Sequence, residues 1–78
     1  MSAVPPRVCV DLATLRRLRG MSQAQVAAAM GKDQSRVSRI ERGEDPPLLG
    51  TLRRYVEALG GRLELHAVFD GQDILIET

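Results

Sequence analysis

Ser22-Gln23-Ala24-Gln25-Val26-Ala27-Ala28-Ala29-Met30-Gly31-Lys32-Asp33-Gln34-Ser35-Arg36-Val37-Ser38-Arg39-Ile40-Glu41-Arg42-Gly43 reads as two short helices joined by a tight turn. Ser22 and Gln25 form a capping box: the hydroxyl accepts the Gln25 amide while the Gln25 side chain reaches back to the Ser22 amide. A helix therefore starts at Gln23 and buries Val26, Ala27 and Met30, its small alanines permitting close helix contact. Gly31 ends it, and Asp33 caps the next helix only two residues later, so the two helices meet at a sharp angle. This next helix runs from Gln34 to about Arg42 and turns Val37, Ile40 and the stem of Glu41 inward. Gln34, Ser35, Ser38 and Arg39 are then left facing outward.

Upstream, Leu12, Leu15 and Leu18 recur every three residues between Asp11 and Arg19, with an acidic start, a basic last turn and Gly20 as a stop. This predicts a first helix packed through its leucines. Downstream, Pro46 and Pro47 forbid continuation, and Leu52, Tyr55, Val56 and Leu59 predict a fourth amphipathic helix that stops at Gly60-Gly61. Beyond the glycine pair the period drops to two, with Leu63, Leu65, Ala67 and Phe69 alternating against Arg62, Glu64, His66 and Val68. Asp70-Gly71 is a two-residue hairpin turn, and folding about it sets Ala67 opposite Ile74 and Leu65 opposite Ile76. Tyr55 and Phe69 read as core residues. The expected architecture is mainly α: a four-helix helix-turn-helix domain over residues 11–60, preceded by an arm over 1–10 and followed by a β-hairpin tail over 61–78. An isolated hairpin is marginal in water, so its apolar residues Leu63, Leu65, Ala67, Phe69, Ile74 and Ile76 are expected to pair with a second copy of the chain.

Seventy-eight residues allow a single domain whose core is thin, with no Trp, one Tyr and one Phe. Hydrophobic residues make up 44% of the chain, yet the longest apolar runs fall far short of the roughly 20 residues needed to cross a bilayer. No secretory leader opens the sequence, so a soluble, cytoplasmic protein without a membrane partner is expected. A lone cysteine, Cys9, excludes an internal disulfide and an all-cysteine metal site. His66 lies on the polar side of its strand without a second ligand at metal-binding spacing, which points to a solvated or cross-strand-paired imidazole, and no metal or cofactor is expected. Catalysis finds no support: Ser22 and Ser35 have no nearby histidine, Cys9 has no base close in sequence, and there is no phosphate-cradling glycine loop. Two aromatics make no stacking platform for single strands.

The net charge of +1 conceals a division. Met1 to Gly43 carry eight bases against three acids, a net +5, whereas Glu44 to Thr78 carry three bases against seven acids, a net −4. One half can face phosphate and the other repels it. On the outer face of the third helix, Gln34 can bond adenine at N6 and N7, and Arg39 can bond guanine at O6 and N7. Ser35 and Ser38 complete this base-reading set, while Gln23, Lys32, Arg36 and Arg42 are placed to contact phosphates. Ordinary solvent exposure would account for any one of these residues; their spacing across a helix, glycine turn and helix is what a duplex-DNA reader requires. Arg7 reads as part of a solvated tail or as a phosphate contact.

Ser22 to Ala27, Met30-Gly31, Gln34 to Gly43 and Leu52 to Leu59 together resemble the phage-repressor type of helix-turn-helix, the Xre family, over about residues 11 to 60. The resemblance implies that Gln23 contacts phosphate and braces Gln34, and that Arg16 pairs with Glu41 as a structural ion pair. Glu44 and Asp45 depart from the family pattern, which puts basic or polar residues in that loop, so each monomer is expected to bind DNA modestly. Leu52 to Leu65 resembles antitoxins of toxin–antitoxin modules, especially the HigA-like group. That likeness implies a homodimeric repressor of its own operon that also blocks a small basic toxin protein, often an RNA-cleaving one. A lone regulator without a toxin, and a toxin-neutralising protein with weak DNA binding, are the alternatives. The acids Glu57, Glu64, Asp70, Asp73 and Glu77 suit the cover of a basic RNA-binding site and equally suit a solvated face.

Overall fold

The computed structural model describes residues 9 to 45 and 47 to 77. Of the expected arm over residues 1 to 10, residues 1 to 8, Arg7 included, lie outside the described residues. Four helices, α1 (Leu12–Leu18), α2 (Gln23–Met30), α3 (Gln34–Glu41) and α4 (Leu49–Ala58), precede a two-stranded antiparallel sheet of β1 (Leu65–Phe69) and β2 (Gln72–Ile76). This is the expected fold class, reached through the expected local signals. Asp11, Ser22 and Asp33 each cap a helix by accepting an amide three residues on, and both halves of the Ser22–Gln25 box are formed. Each such cap is worth about 1 kcal/mol. Gly31 takes the left-handed conformation (φ 69°), and the Lys32 amide donates to the Ala27 carbonyl at 2.9 Å, so α2 closes and α3 begins three residues later.

Val26, Ala27, Met30, Val37, Tyr55 and Leu59 form the core, with Leu12, Leu15, Met21 and Ala58 packed around it. Ile40 is buried as well. Two expected core positions are not: Leu18 is 69% exposed and Phe69 61%. Steps of three residues fall about 60° short of a full helical turn, so Leu18 lies roughly 120° around α1 from Leu12 and leaves the inner face. Arg16 takes the inward position one turn after Leu12 and is buried. Phe69 ends its strand against Gln72 and is left in solvent. Helix α4 starts at Leu49, a turn before Leu52, although Leu48 offers no side-chain cap.

The chain leaves α4 through Gly60 (φ 86°), with the Gly61 amide donating to the Val56 carbonyl at 3.1 Å. A Cβ on Gly61 would meet Val56 Cγ1 at 3.3 Å, so the bare backbone lets the hairpin leave close to the helix. Its register is as expected, Leu65 opposite Ile76 and Ala67 opposite Ile74. Every residue of β2 is exposed, and the hairpin pairs with itself far more than with the helices. His66 Nδ1 lies 2.7 Å from Asp73 Oδ1 across the hairpin, and Nε2 lies 3.3 Å from Glu64 Oε1. The bonds to Asp73 and then Glu64 favour the imidazolium and raise the His66 pKa above its ordinary value of 6.5. The stabilisation is thus full below pH 6.5 and is lost as pH rises through the folded value. A proton NMR titration should place the His66 midpoint above 6.5 in the wild type and lower in Asp73→Asn; a midpoint unmoved by that change would remove Asp73 as the cause.

Candidate nucleic-acid interface

The outward side of α3 follows from its inner side. With Val37 and Ile40 buried, helical geometry leaves Gln34 and Ser35 exposed and Ser38 and Arg39 half-buried on the opposite stripe. Gln34, Ser35, Ser38 and Arg39 line one surface cleft of about 510 Å³ with Gln23 and Arg42. Six of the eight expected DNA-contacting residues are therefore brought together. Lys32 is exposed in the turn before α3, and Arg36 lies outside the cleft.

Most side chains in this region have a local anchor. Arg39 Nη1 donates to Ser35 Oγ at 3.2 Å, one turn back on α3. Asp33 accepts the Arg36 amide at 2.8 Å and the Ser35 hydroxyl at 3.0 Å, and these bonds hold its carboxyl below the usual carboxylate range. Arg42 donates to Ser38 and, at 2.6 Å, to Glu44 Oε2. Arg36 Nε lies 2.8 Å from Asp45 Oδ2, yet the nitrogen has no hydrogen-bond partner in line with its N–H, so this contact is one of charge. The two loop acids that depart from the family pattern thus sit on two arginines expected at phosphates. A phosphate approaching Arg42 or Arg36 therefore competes with a carboxylate already beside the guanidinium. The sequence reading paired neither acid: the two-residue spacing of Arg42 and Glu44 could have signalled that contact, and nothing local linked Asp45 to Arg36.

Beneath the cleft lies a buried polar cluster. Arg16 clasps Glu41 through two bonds, Nε to Oε2 at 2.7 Å and Nη2 to Oε1 at 3.0 Å, and the side chains are only 9% and 4% exposed. Arg16 Nη1 also donates to the Met21 carbonyl at 3.0 Å. The Tyr55 hydroxyl lies 2.6 Å from Glu41 Oε2 and 3.0 Å from the Leu12 carbonyl; its single proton goes to the nearer, charged oxygen. Gln23 Nε2 donates to Glu41 Oε1 at 3.1 Å. Burial alone would raise the Glu41 pKa, but the bonds from Arg16, Tyr55 and Gln23 outweigh it and hold the carboxyl below its ordinary value. Burial, together with the Glu41 carboxylate, pushes the Tyr55 phenol well above its own. The expected Arg16–Glu41 pair is present; the Tyr55 hydroxyl and the Gln23 amide are members that periodicity could not reveal, because Tyr55 read as core. Gln34 Nε2 in turn points at Gln23 Oε1 at 3.4 Å.

Among the described residues no group of three or more His, Cys, Asp or Glu could hold a metal ion, and no helix is long and apolar enough to cross a membrane.

A family model described as helix-turn-helix matches residues 12–65. The chain is 50% identical over 60 residues to a Mycobacterium tuberculosis protein carrying the antitoxin name HigA3, a match covering 74% of this chain and 55% of that protein. It is 44% identical over 59 residues to antitoxin HigA1 of the same species, covering 76% of this chain and 40% of that one. The chain thus spans about half the length, or less, of these curated relatives. A solved structure described as DNA-bound antitoxin HigA3 superposes with a TM-score of 0.80 at 40% identity, covering 92% of this chain and 95% of that one. Another, described as induced DNA bending by unique dimerization of HigA antitoxin, superposes with a TM-score of 0.81 at 39% identity, covering 95% and 100%.

Proposed function

The chain belongs to the Xre-like helix-turn-helix family, and from that premise we propose that it is a homodimeric, sequence-specific repressor that binds duplex DNA and serves as the autoregulating antitoxin of a toxin–antitoxin operon. The observation that carries the DNA reading is the single cleft in which Gln34, Ser35, Ser38 and Arg39 face outward beside Gln23 and Arg42. Amide and guanidinium groups on one exposed helix face match the donor and acceptor pattern of the major groove. The similarity to a structure described as DNA-bound antitoxin HigA3 supports DNA binding by this chain. In a dimer, two such helices about 34 Å apart would enter successive major grooves of a roughly palindromic operator. The antitoxin role rests on the antitoxin names of the relatives and on the acidic second half of the chain. Its partner would be a small protein with a basic RNA-binding site, and a neighbouring gene for such a protein, with co-purification of the two products, checks it.

Gel shifts and footprints on the DNA upstream of the gene test the DNA reading. Arg39→Ala should cost about 1 to 3 kcal/mol on the preferred operator and relax the preference at one base pair. Arg42→Ala should weaken all sequences alike and flatten the slope of log affinity against log salt by about 0.9. Equal losses on every sequence for both variants would exclude direct base reading by Arg39.

A further inference from the structure

The buried cluster and the recognition face are joined by one chain of hydrogen bonds, running from Glu41 to Gln23 to Gln34. We propose that Glu41 is a positioning residue for base recognition: it fixes the orientation of the Gln23 amide, and thereby the hydrogen-bonding polarity with which Gln34 meets the duplex. The inference rests on the reading of α3 as the base-reading helix.

The argument starts from what each group can do. An ionised carboxylate only accepts, whereas a carboxamide has a donating end and an accepting end that are nearly the same size. Glu41 is held ionised between Arg16 and Tyr55, so the end of Gln23 that faces it must be the NH2. Gln23 Oε1 is then left for its other neighbour, Gln34, which must turn its own NH2 toward it. At 3.4 Å this second bond is long, so it aligns Gln34 without locking it. Gln34 is left with its carbonyl oxygen and one N–H for the groove. That acceptor and donor pair matches adenine, whose major-groove edge offers N6–H and N7, and does not match guanine, whose O6 and N7 both accept. The opposite polarity would spend the Gln34 carbonyl on Gln23 and present only N–H groups, which suits guanine. A carboxylate inside the domain therefore selects which purine Gln34 prefers, though it touches no base.

The test uses the full chain and duplexes containing the footprinted operator, with the base pair that responds to Gln34→Ala varied between adenine and guanine. Gln23→Lys keeps a donor toward Glu41 but presents no acceptor to Gln34, so Gln34 should turn over and the adenine preference should fall by about tenfold or invert. Gln23→Met should reduce the preference without inverting it, and neither change should alter the preference further in a Gln34→Ala background. In the free wild-type chain, the Gln23 side-chain NH2 protons should exchange with water more slowly than those of exposed Gln72. If Gln34→Ala abolishes the preference while Gln23→Lys leaves it intact, or if the Gln23 amide exchanges as fast as Gln72, the relay is overturned with base reading by α3 still standing. If Gln34→Ala leaves the preference unchanged, it is the reading of α3 that fails, and the relay with it.

Discussion

Glu41→Ala should lower the melting temperature by on the order of 12 to 40 °C, and Arg16→Ala by a similar amount. Removing one partner of a buried pair leaves the other charge without compensation, which costs about 3 to 5 kcal/mol. A chain of 78 residues has about 4 to 12 kcal/mol of stability in all, so much or all of it would go. In a domain this small each kcal/mol moves the midpoint by about 4 to 8 °C. Glu41 has the stronger case, since Arg16, Tyr55 and Gln23 all donate to it and all would lose their acceptor. The cost belongs to the broken pair rather than to the intact one. Replacing both partners with apolar residues, as in Arg16→Met with Glu41→Leu, should recover most of the loss, because no charge is then left buried. Acid should act in the same direction as the mutation. With its pKa held below the ordinary 4.5, Glu41 contributes stability that is present above that value and is lost as pH falls through the folded one. Thermal melts followed by circular dichroism read all of these; a Glu41→Ala melt within a few degrees of the wild type would show that solvent reaches the cluster.

How much of this was legible in the chain depended on range. Ser22 with Gln25, Asp33 with the amide three residues on, and Asp70-Gly71 are local rules, and each specifies its structure within a few residues. The hairpin register was legible for the same reason: a two-residue turn and a period of two leave one pairing that puts Leu65, Ala67, Ile74 and Ile76 on one face. Leu18 misled because three leucines at equal spacing look like a stripe, while each step of three falls about 60° short of a full turn and the error accumulates. The start of α4 at Leu49 had no cap to announce it. At the site, periodicity in α3 placed the outward residues, and family resemblance supplied the Arg16–Glu41 pair. The pairing of Arg36 with Asp45 and the hydroxyl of Tyr55 on Glu41 join residues 9 and 14 positions apart, and the distance in space between them follows only from the packed helices.

Ile74→Asp with Ile76→Asp should turn the proposed dimer into a monomer and weaken operator binding by about 10² to 10⁴-fold. These two side chains stand on one face of the hairpin with Leu65 and Ala67, and both are 46% exposed in the single chain. Leu75 and Val68 are exposed on the other face. Such a two-stranded ribbon, with open edges and little contact to its own helices, is not stable alone in water, and a second copy of the chain is the cover proposed for it. A carboxylate in that seam must be desolvated or must hold the copies apart, whereas in a monomer it would sit in water at little cost. The helices should therefore keep their fold in the variant, and Arg39 and Gln34 should still contact a half-site. What disappears is the tether: once one recognition helix is bound, the shared hairpin holds the second near its groove at an effective concentration in the millimolar range. Sedimentation of both proteins, and gel shifts on full and half operators, separate these effects. The variant should bind full and half operators alike, and the wild type should favour the full one. A wild type that sediments as a monomer at micromolar concentration would remove the dimer, and a variant that remains dimeric would move the interface from the hairpin to the helices.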